Sequence, residues 1–200
     1  IMTSLYYGQM HTGPILNIDP SNPNSEGQDY FILSKYQAAP TWYAILADLG
    51  YFSADELKYY KAAGALLTAN PRSKISGVGV GSGSAGQGVA SAVGLALSLK
   101  ADRDRNKVWV LAGDGEMATG MVWESLILAG HAKLGNLVLI IDRNGIQFDG
   151  IVRNANVTDP LADKLESFGF RTINVFAGHD FDQLLGAYEK AVTETRLPVA

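Results

Sequence analysis

Two runs in this 200-residue chain, Lys107–Ala112 (KVWVLA) and Leu137–Ile141 (LVLII), are apolar at nearly every position, and a helical stretch, Met117–Leu134, lies between them. A strand without polar alternation must be covered on both faces. Such strands, joined through helices, fold as parallel sheets with helices packed on either side. The pattern continues outward. Tyr30–Leu33 reads as a short strand, Phe170–Phe176 as another, and Leu197–Ala200 as the start of a further one. Residues are expected to continue beyond both ends. Pro40–Leu49 has helical apolar spacing and stops at Gly50. Ser53 with Glu56 is a capping-box pattern opening a helix over Asp55–Gly64; Ser84 with Gln87 is a second, opening a helix to about Lys100. Asp180, with Gln183 three residues on, caps a final helix through about Thr195. Residues 1–29 read as irregular, with turns at Pro14, Pro20 and Pro23, and Ala69–Gly79 reads as loop. The expected architecture is α/β: one three-layer α/β/α domain over residues 1–200 with a mostly parallel sheet.

Composition narrows the function. The net charge is −4, and the densest basic group is the Arg103/Arg105/Lys107 patch, which argues against nucleic acid or an anionic membrane as a partner. The absence of cysteine excludes disulfides and thiolate metal sites. No apolar run approaches the ~20 residues of a membrane span. No signal peptide is visible, so a cytoplasmic location is expected.

The segment between the two apolar runs carries chemistry. Gly113-Asp114-Gly115 follows directly on one strand, and Asn144 follows closely on the other. A right-handed strand–helix–strand unit brings both strand ends to the same sheet edge, where open parallel sheets bind ligands. Asp114 and Asn144 offer oxygen, which selects a hard cation, Mg²⁺ or Ca²⁺. The Ile146 carbonyl is the best-placed third ligand, and a diphosphate would complete the shell against the free N–H groups of the helix starting near Glu116. Gly113 and Gly115 let the backbone approach such a ligand without a β-carbon in the way. The tripeptide alone would be an ordinary turn; Asn144 at this spacing distinguishes it.

These residues resemble the thiamine-diphosphate motif. The stretch GDGEMATGMVWESLILAGHAKLGNLVLIIDRNGIQFDG is similar to the N-terminal subunit of split, two-gene transketolases, with YFILSK, GSGSAGQG and AGHD in that family's order and at about its spacing. The resemblance implies a PP-type domain in which Asp114, Asn144 and the Ile146 carbonyl hold the metal. It implies that Gly115 and Glu116 lie along the diphosphate through their backbones, and that Gly83 and Ser84 lie near the aminopyrimidine. In such enzymes a second, pyrimidine-binding domain supplies a glutamate that activates the ring. Here a C-terminal partner subunit would supply it, in a heterodimer or heterotetramer acting on keto donors and aldehyde or ketone acceptors.

The chain departs from the family where the donor is handled. Transketolases read Gly-His where this chain has Tyr36-Gln37, and Gly-His-Pro where it has Ala69-Asn70-Pro71; Thr119 stands where an acidic residue is usual. Gln37 and Asn70 are the catalytic positions implied by the resemblance. Histidine exchanges protons near pH 7, whereas these amides only hydrogen-bond. The resemblance implies transfer of a two-carbon ketol or acyl unit; the changed residues suggest an α-keto acid donor such as pyruvate in place of a ketose phosphate, with re-tuned ketol transfer and lost catalysis as the other readings.

Other signals are weaker. Gly81-Ser82-Gly83-Ser84-Ala85-Gly86 matches a dinucleotide fingerprint but lacks its strand-end acid at the proper distance, so a nicotinamide-dependent oxidoreductase is a lesser reading. Gly88, Ala92 and Ala96 leave one helix face nearly bare, for close packing inside the domain or against a partner, and a non-catalytic partner subunit is the third reading. His11, His131 and His179 form no triad pattern, and Trp42 and Trp123 read as packing anchors.

Overall fold

At the centre of the protein, three parallel strands send alternate side chains into two separate cores. The computed structural model describes residues 1–23, 25–147, 150–151 and 158–200. In chain order the elements are α1 (Met2–Tyr7), the hairpin β1–β2 (Gln9–Met10, Gly13–Pro14), β3 (Tyr30–Leu33), α2 (Ala39–Asp48), α3 (Gln87–Ala101), β4 (Val108–Gly113), α4 (Gly120–His131), β5 (Leu137–Asp142), the hairpin β6–β7 (Ile146–Gln147, Gly150–Ile151), α5 (Leu161–Ser167) and α6 (Phe181–Thr193). The central sheet has the order β3-β4-β5, with Ile32 opposite Val110 and Val110 opposite Leu139.

Every residue of β4 is buried. Trp109 and Leu111 enter one core, with Leu5 of α1, Trp42 and Leu46 of α2, and Tyr188 of α6. Val108, Val110 and Ala112 enter the other, with Ala92 of α3, Leu126 of α4 and Leu165 of α5. Period-two alternation with apolar groups on both faces makes three layers. No helix among the described residues is long and apolar enough to cross a membrane.

Several elements differ from the sequence expectation. Residues 2–7 form α1, which lacks a side-chain cap and is held by the burial of Met2, Leu5 and Tyr6. The expected Asp55–Gly64 helix is a 3₁₀ turn over Ala54–Tyr59; Ser53 caps it, and the turn of the chain at Tyr60, followed by left-handed Lys61, ends the helical path. The Met117–Leu134 helix is split: a 3₁₀ turn covers Asp114–Ala118, Thr119 is extended, and α4 follows. The Phe170–Phe176 segment makes only a bridge from Arg171 to Val199, and Val199 also bridges to Val138 of β5. Residues 198–200 therefore lie between β5 and residues 171–173. Gln87 does accept from the Ser84 N–H, but α3 begins only after Gly86.

The bare face of α3 packs inside the domain. A β-carbon on Gly88 would lie 2.6 Å from Ser34 Cβ and 2.7 Å from Ser34 Cα, so α3 rests directly on the chain leaving β3. The Arg103/Arg105/Lys107 patch also needs correction. Lys107 is buried, and its ammonium donates to the carbonyls of Gly135, Ala191 and Glu194, which ties the start of β4 to the end of α6. Burial lowers its pKa.

This packing sets two expectations for stability. Gly88→Ala should cost about 1–3 kcal/mol in denaturant unfolding, since the backbone at Ser34 must shift to admit a methyl group. Glu194 is the second. The Arg196 N–H and the Arg171 guanidinium hold its carboxyl down to about 2, from an ordinary 4.5. A pKa lowered by folding stabilises above the unfolded value and is lost on acidification. The Glu194 contribution is therefore complete above pH 4.5 and disappears as pH falls toward about 2. Unfolding free energies measured through that window should fall less steeply for Glu194→Gln than for the wild type.

Candidate functional site

Register brings the site together. Gly113, the last residue of β4, lies opposite Asp142, the last residue of β5, so the Gly113-Asp114-Gly115 turn and the Arg143–Ile146 turn leave the sheet side by side. The Gly145 N–H donates to Asp114 Oδ2 at 2.7 Å, and the Ile146 N–H donates to Asn144 Oδ1 at 2.9 Å. Gly145 takes φ +74°, a left-handed turn that an ordinary side chain would strain, and this aims its N–H at Asp114. Asp114 and Asn144 thus stand on adjoining turns despite their separation in sequence. Ile146 is exposed and begins the β6–β7 hairpin. Phe148 and Asp149, near the end of the motif stretch, lie outside the described residues.

Asp114 is the most constrained charge at this edge. It is 4% exposed, and it forms no ion pair among the described residues. A buried carboxylate is costly unless a cation or several donors compensate it. One backbone N–H is thin compensation. With the second Asn144 Oδ1 lone pair still available, the donor set is all oxygen and suits a hard divalent cation.

Glu116, expected to serve through its backbone, also works through its side chain. It accepts from Ser34 Oγ at 2.7 Å, from the Gly86 N–H at 2.9 Å and from the Gly113 N–H at 3.1 Å. Gly115 is half-buried beside it, within the 3₁₀ turn rather than at the start of a full helix. Thr119 meets the loop before α3: its Cγ2 would lie 3.2 Å from a β-carbon on Gly86.

The second group of residues lies on that loop. A β-carbon on Gly83 would meet nothing nearer than Asn70 Nδ2 at 3.6 Å, so the protein itself does not require glycine there. Ser84 is exposed next to it. Asn70 and Gly83 are therefore neighbours, and Glu116 links their loop to the Asp114 turn through Gly86. Gln37 is exposed in the 3₁₀ turn Tyr36–Ala38 that follows β3, on the same sheet edge. Its side chain makes no hydrogen bond to the other site residues among the described ones.

Sequence reasoning missed an ion pair across the top of the sheet. Lys35, at the end of β3, pairs with Asp142, at the end of β5. Its stem crosses β4, with Cδ 3.5 Å from where a Gly113 β-carbon would be. The only sequence signal was a charge at the end of each strand. Among the described residues Asp114, Asp142, Glu116 and Asp159 stand at this edge against Lys35 and Arg143, so the edge is net anionic, which again favours a divalent cation.

The chain is similar to proteins of one family over nearly its whole length. Residues 8–199 match the family described as "Transketolase, thiamine diphosphate binding domain". The 6-deoxy-6-sulfo-D-fructose transketolase subunit SqwG of Clostridium sp. (strain MSTE9) is 33% identical over 192 residues, which is 96% of this chain and 67% of that protein. An apulose-4-phosphate transketolase subunit of Actinobacillus succinogenes is 35% identical over 190 residues, 94% of this chain and 66% of that one. Among solved structures, transketolase from Campylobacter jejuni superposes with a TM-score of 0.88 at 30% identity, covering 92% of this chain but 30% of the other. The chain therefore spans about two thirds of the length of these subunit relatives.

Proposed function

Because the chain belongs to the transketolase family through its thiamine-diphosphate-binding domain, we propose that it is the cofactor-anchoring subunit of a split, transketolase-like transferase. The observation that carries this reading is the buried Asp114 carboxylate, held by Gly145 beside Asn144 and lacking a cationic partner among the described residues. In this reading Asp114, Asn144 and the Ile146 carbonyl hold Mg²⁺ or Ca²⁺. Gly113, Gly115 and Glu116 follow the diphosphate through their backbones, and Gly83 and Ser84 border the aminopyrimidine. The bound cofactor supplies an electron sink for breaking and making carbon–carbon bonds. This chain fixes the anionic end and leaves ring activation to a C-terminal, pyrimidine-binding partner. The names of the two relatives, each called a transketolase subunit, support an assembly of more than one chain; a heterodimer or heterotetramer in the cytoplasm is the form proposed.

The donor is the second element of the proposal. Gln37 and the Asn70 beside Gly83 put amides at the site's rim, where neither can take or give a proton near pH 7. They orient a carbonyl or carboxylate, which suits an α-keto acid such as pyruvate better than a ketose phosphate. The acceptor is an aldehyde or ketone.

Thermal melts of the protein in its native assembly test the anchoring role. Thiamine diphosphate with Mg²⁺, at about a hundred times its Kd, should stabilise the wild type by about 2.7 kcal/mol. Asp114→Asn should keep or raise the ligand-free melting temperature, because it removes a thinly compensated buried charge without changing shape, and should lose the Mg²⁺-dependent increment. A wild type that shows no such increment refutes the cofactor reading. In turnover assays the assembled enzyme should decarboxylate pyruvate. Efficient cleavage of xylulose 5-phosphate with pyruvate untouched overturns the donor assignment.

A further inference from the structure

We infer that the Glu116 side chain is a positioning residue that couples the two halves of the cofactor site, the Gly113–Gly115 turn and the Gly83–Gly86 loop; this rests on the cofactor reading above. Its carboxylate gathers donors from three elements that meet at this edge. Oε1 takes the Ser34 hydroxyl, 82 residues away, and the Gly86 N–H, 30 residues away; Oε2 takes the Gly113 N–H, 3 residues away. Ser34 leaves β3, Gly113 ends β4, and Gly86 precedes α3.

Each tie acts on a segment assigned to the ligand. The bond from Gly113 sets the start of the turn that carries Asp114. The bond from Gly86 sets the exit of the loop that carries Gly83 and Ser84. Packing closes the arrangement. A β-carbon on Gly86 would lie 3.2 Å from Thr119 Cγ2 and from Val122 Cγ2, and one on Gly88 would collide with Ser34. No direct hydrogen bond joins the Gly83–Ser84 pair to Gly113–Gly115 among the described residues; the carboxylate bridges the two segments through Gly86 and Gly113, beside the Ser82 hydroxyl that ties the same loop to the Leu33 carbonyl of β3. Because Oε1 already serves two donors, Glu116 contributes the spacing of the site rather than a ligand oxygen.

Binding of fragments separates this role from ordinary structural support. Isothermal titrations of the protein in its native assembly use Mg²⁺ with inorganic diphosphate, which probes one half, and Mg²⁺ with thiamine diphosphate, which spans both. In Glu116→Ala the Kd for thiamine diphosphate should rise about tenfold or more, while that for diphosphate, which feels only the lost Gly113 tie, should rise by about threefold. Ser34→Ala removes one donor and keeps the carboxylate, so it is the variant to use where Glu116→Ala fails to fold. It should raise the thiamine diphosphate Kd by about threefold, again without a matching change for diphosphate. Equal loss for both ligands, or no loss for either, overturns the coupling. Failure of the wild type to bind thiamine diphosphate overturns the cofactor reading and this inference with it.

Discussion

Strand β4 is covered on both faces, by Trp42 and Leu46 of α2 on one side and by Ala92 of α3 and Leu126 of α4 on the other. That double burial fixes where its last residue emerges. A one-residue slip would send each side chain of β4 into the opposite core, where close packing does not admit it, so the strand keeps a single register. The Gly113–Asp114 turn inherits this rigidity. Lys35 and Asp142 brace it from the strands on either side, and Glu116 holds it from within its own turn. Sites placed on rigid elements keep their geometry better than sites on free loops.

The parts of the fold set by local chemistry could be read from the sequence. Apolar runs at 107–112 and 137–141 declared doubly buried strands, and Asp180 declared the start of α6 because an N-cap needs only its own neighbours. The convergence of Asp114 and Asn144 followed from crossover topology and does not depend on side-chain detail. Elements that depend on distant partners were not legible. Residues 2–7 carry no cap signal and become helical because the core accepts Leu5 and Tyr6. Residues 170–176 have strand composition but pair only near Arg171, since their neighbour in the sheet is the short 198–200 segment. The Lys35–Asp142 and Ser34–Glu116 contacts span 107 and 82 residues, beyond the reach of any periodicity argument.

The proposed site divides into a part that grips and a part that selects. The gripping part is tied to strand ends and rich in oxygen: buried Asp114, exposed Asn144 and the turns around Gly113 and Gly145. The selecting part, Gln37, Asn70 and Ser84, is exposed and set on turns outside the sheet. Surface turns tolerate substitution more readily than strand ends. A fold of this kind can therefore change what it acts on while its hold on a charged ligand stays the same.

The contact between Gly88 and Ser34 has a consequence for how such sequences diverge. With 2.6 Å between a would-be β-carbon and its neighbour, the two positions form one evolutionary unit. A side chain gained at position 88 displaces the backbone at 34, and with it the hydroxyl that reaches Glu116. Drift on the helix face is thereby limited by the site it backs. In a set of related sequences, position 88 should vary only where position 34 has changed with it.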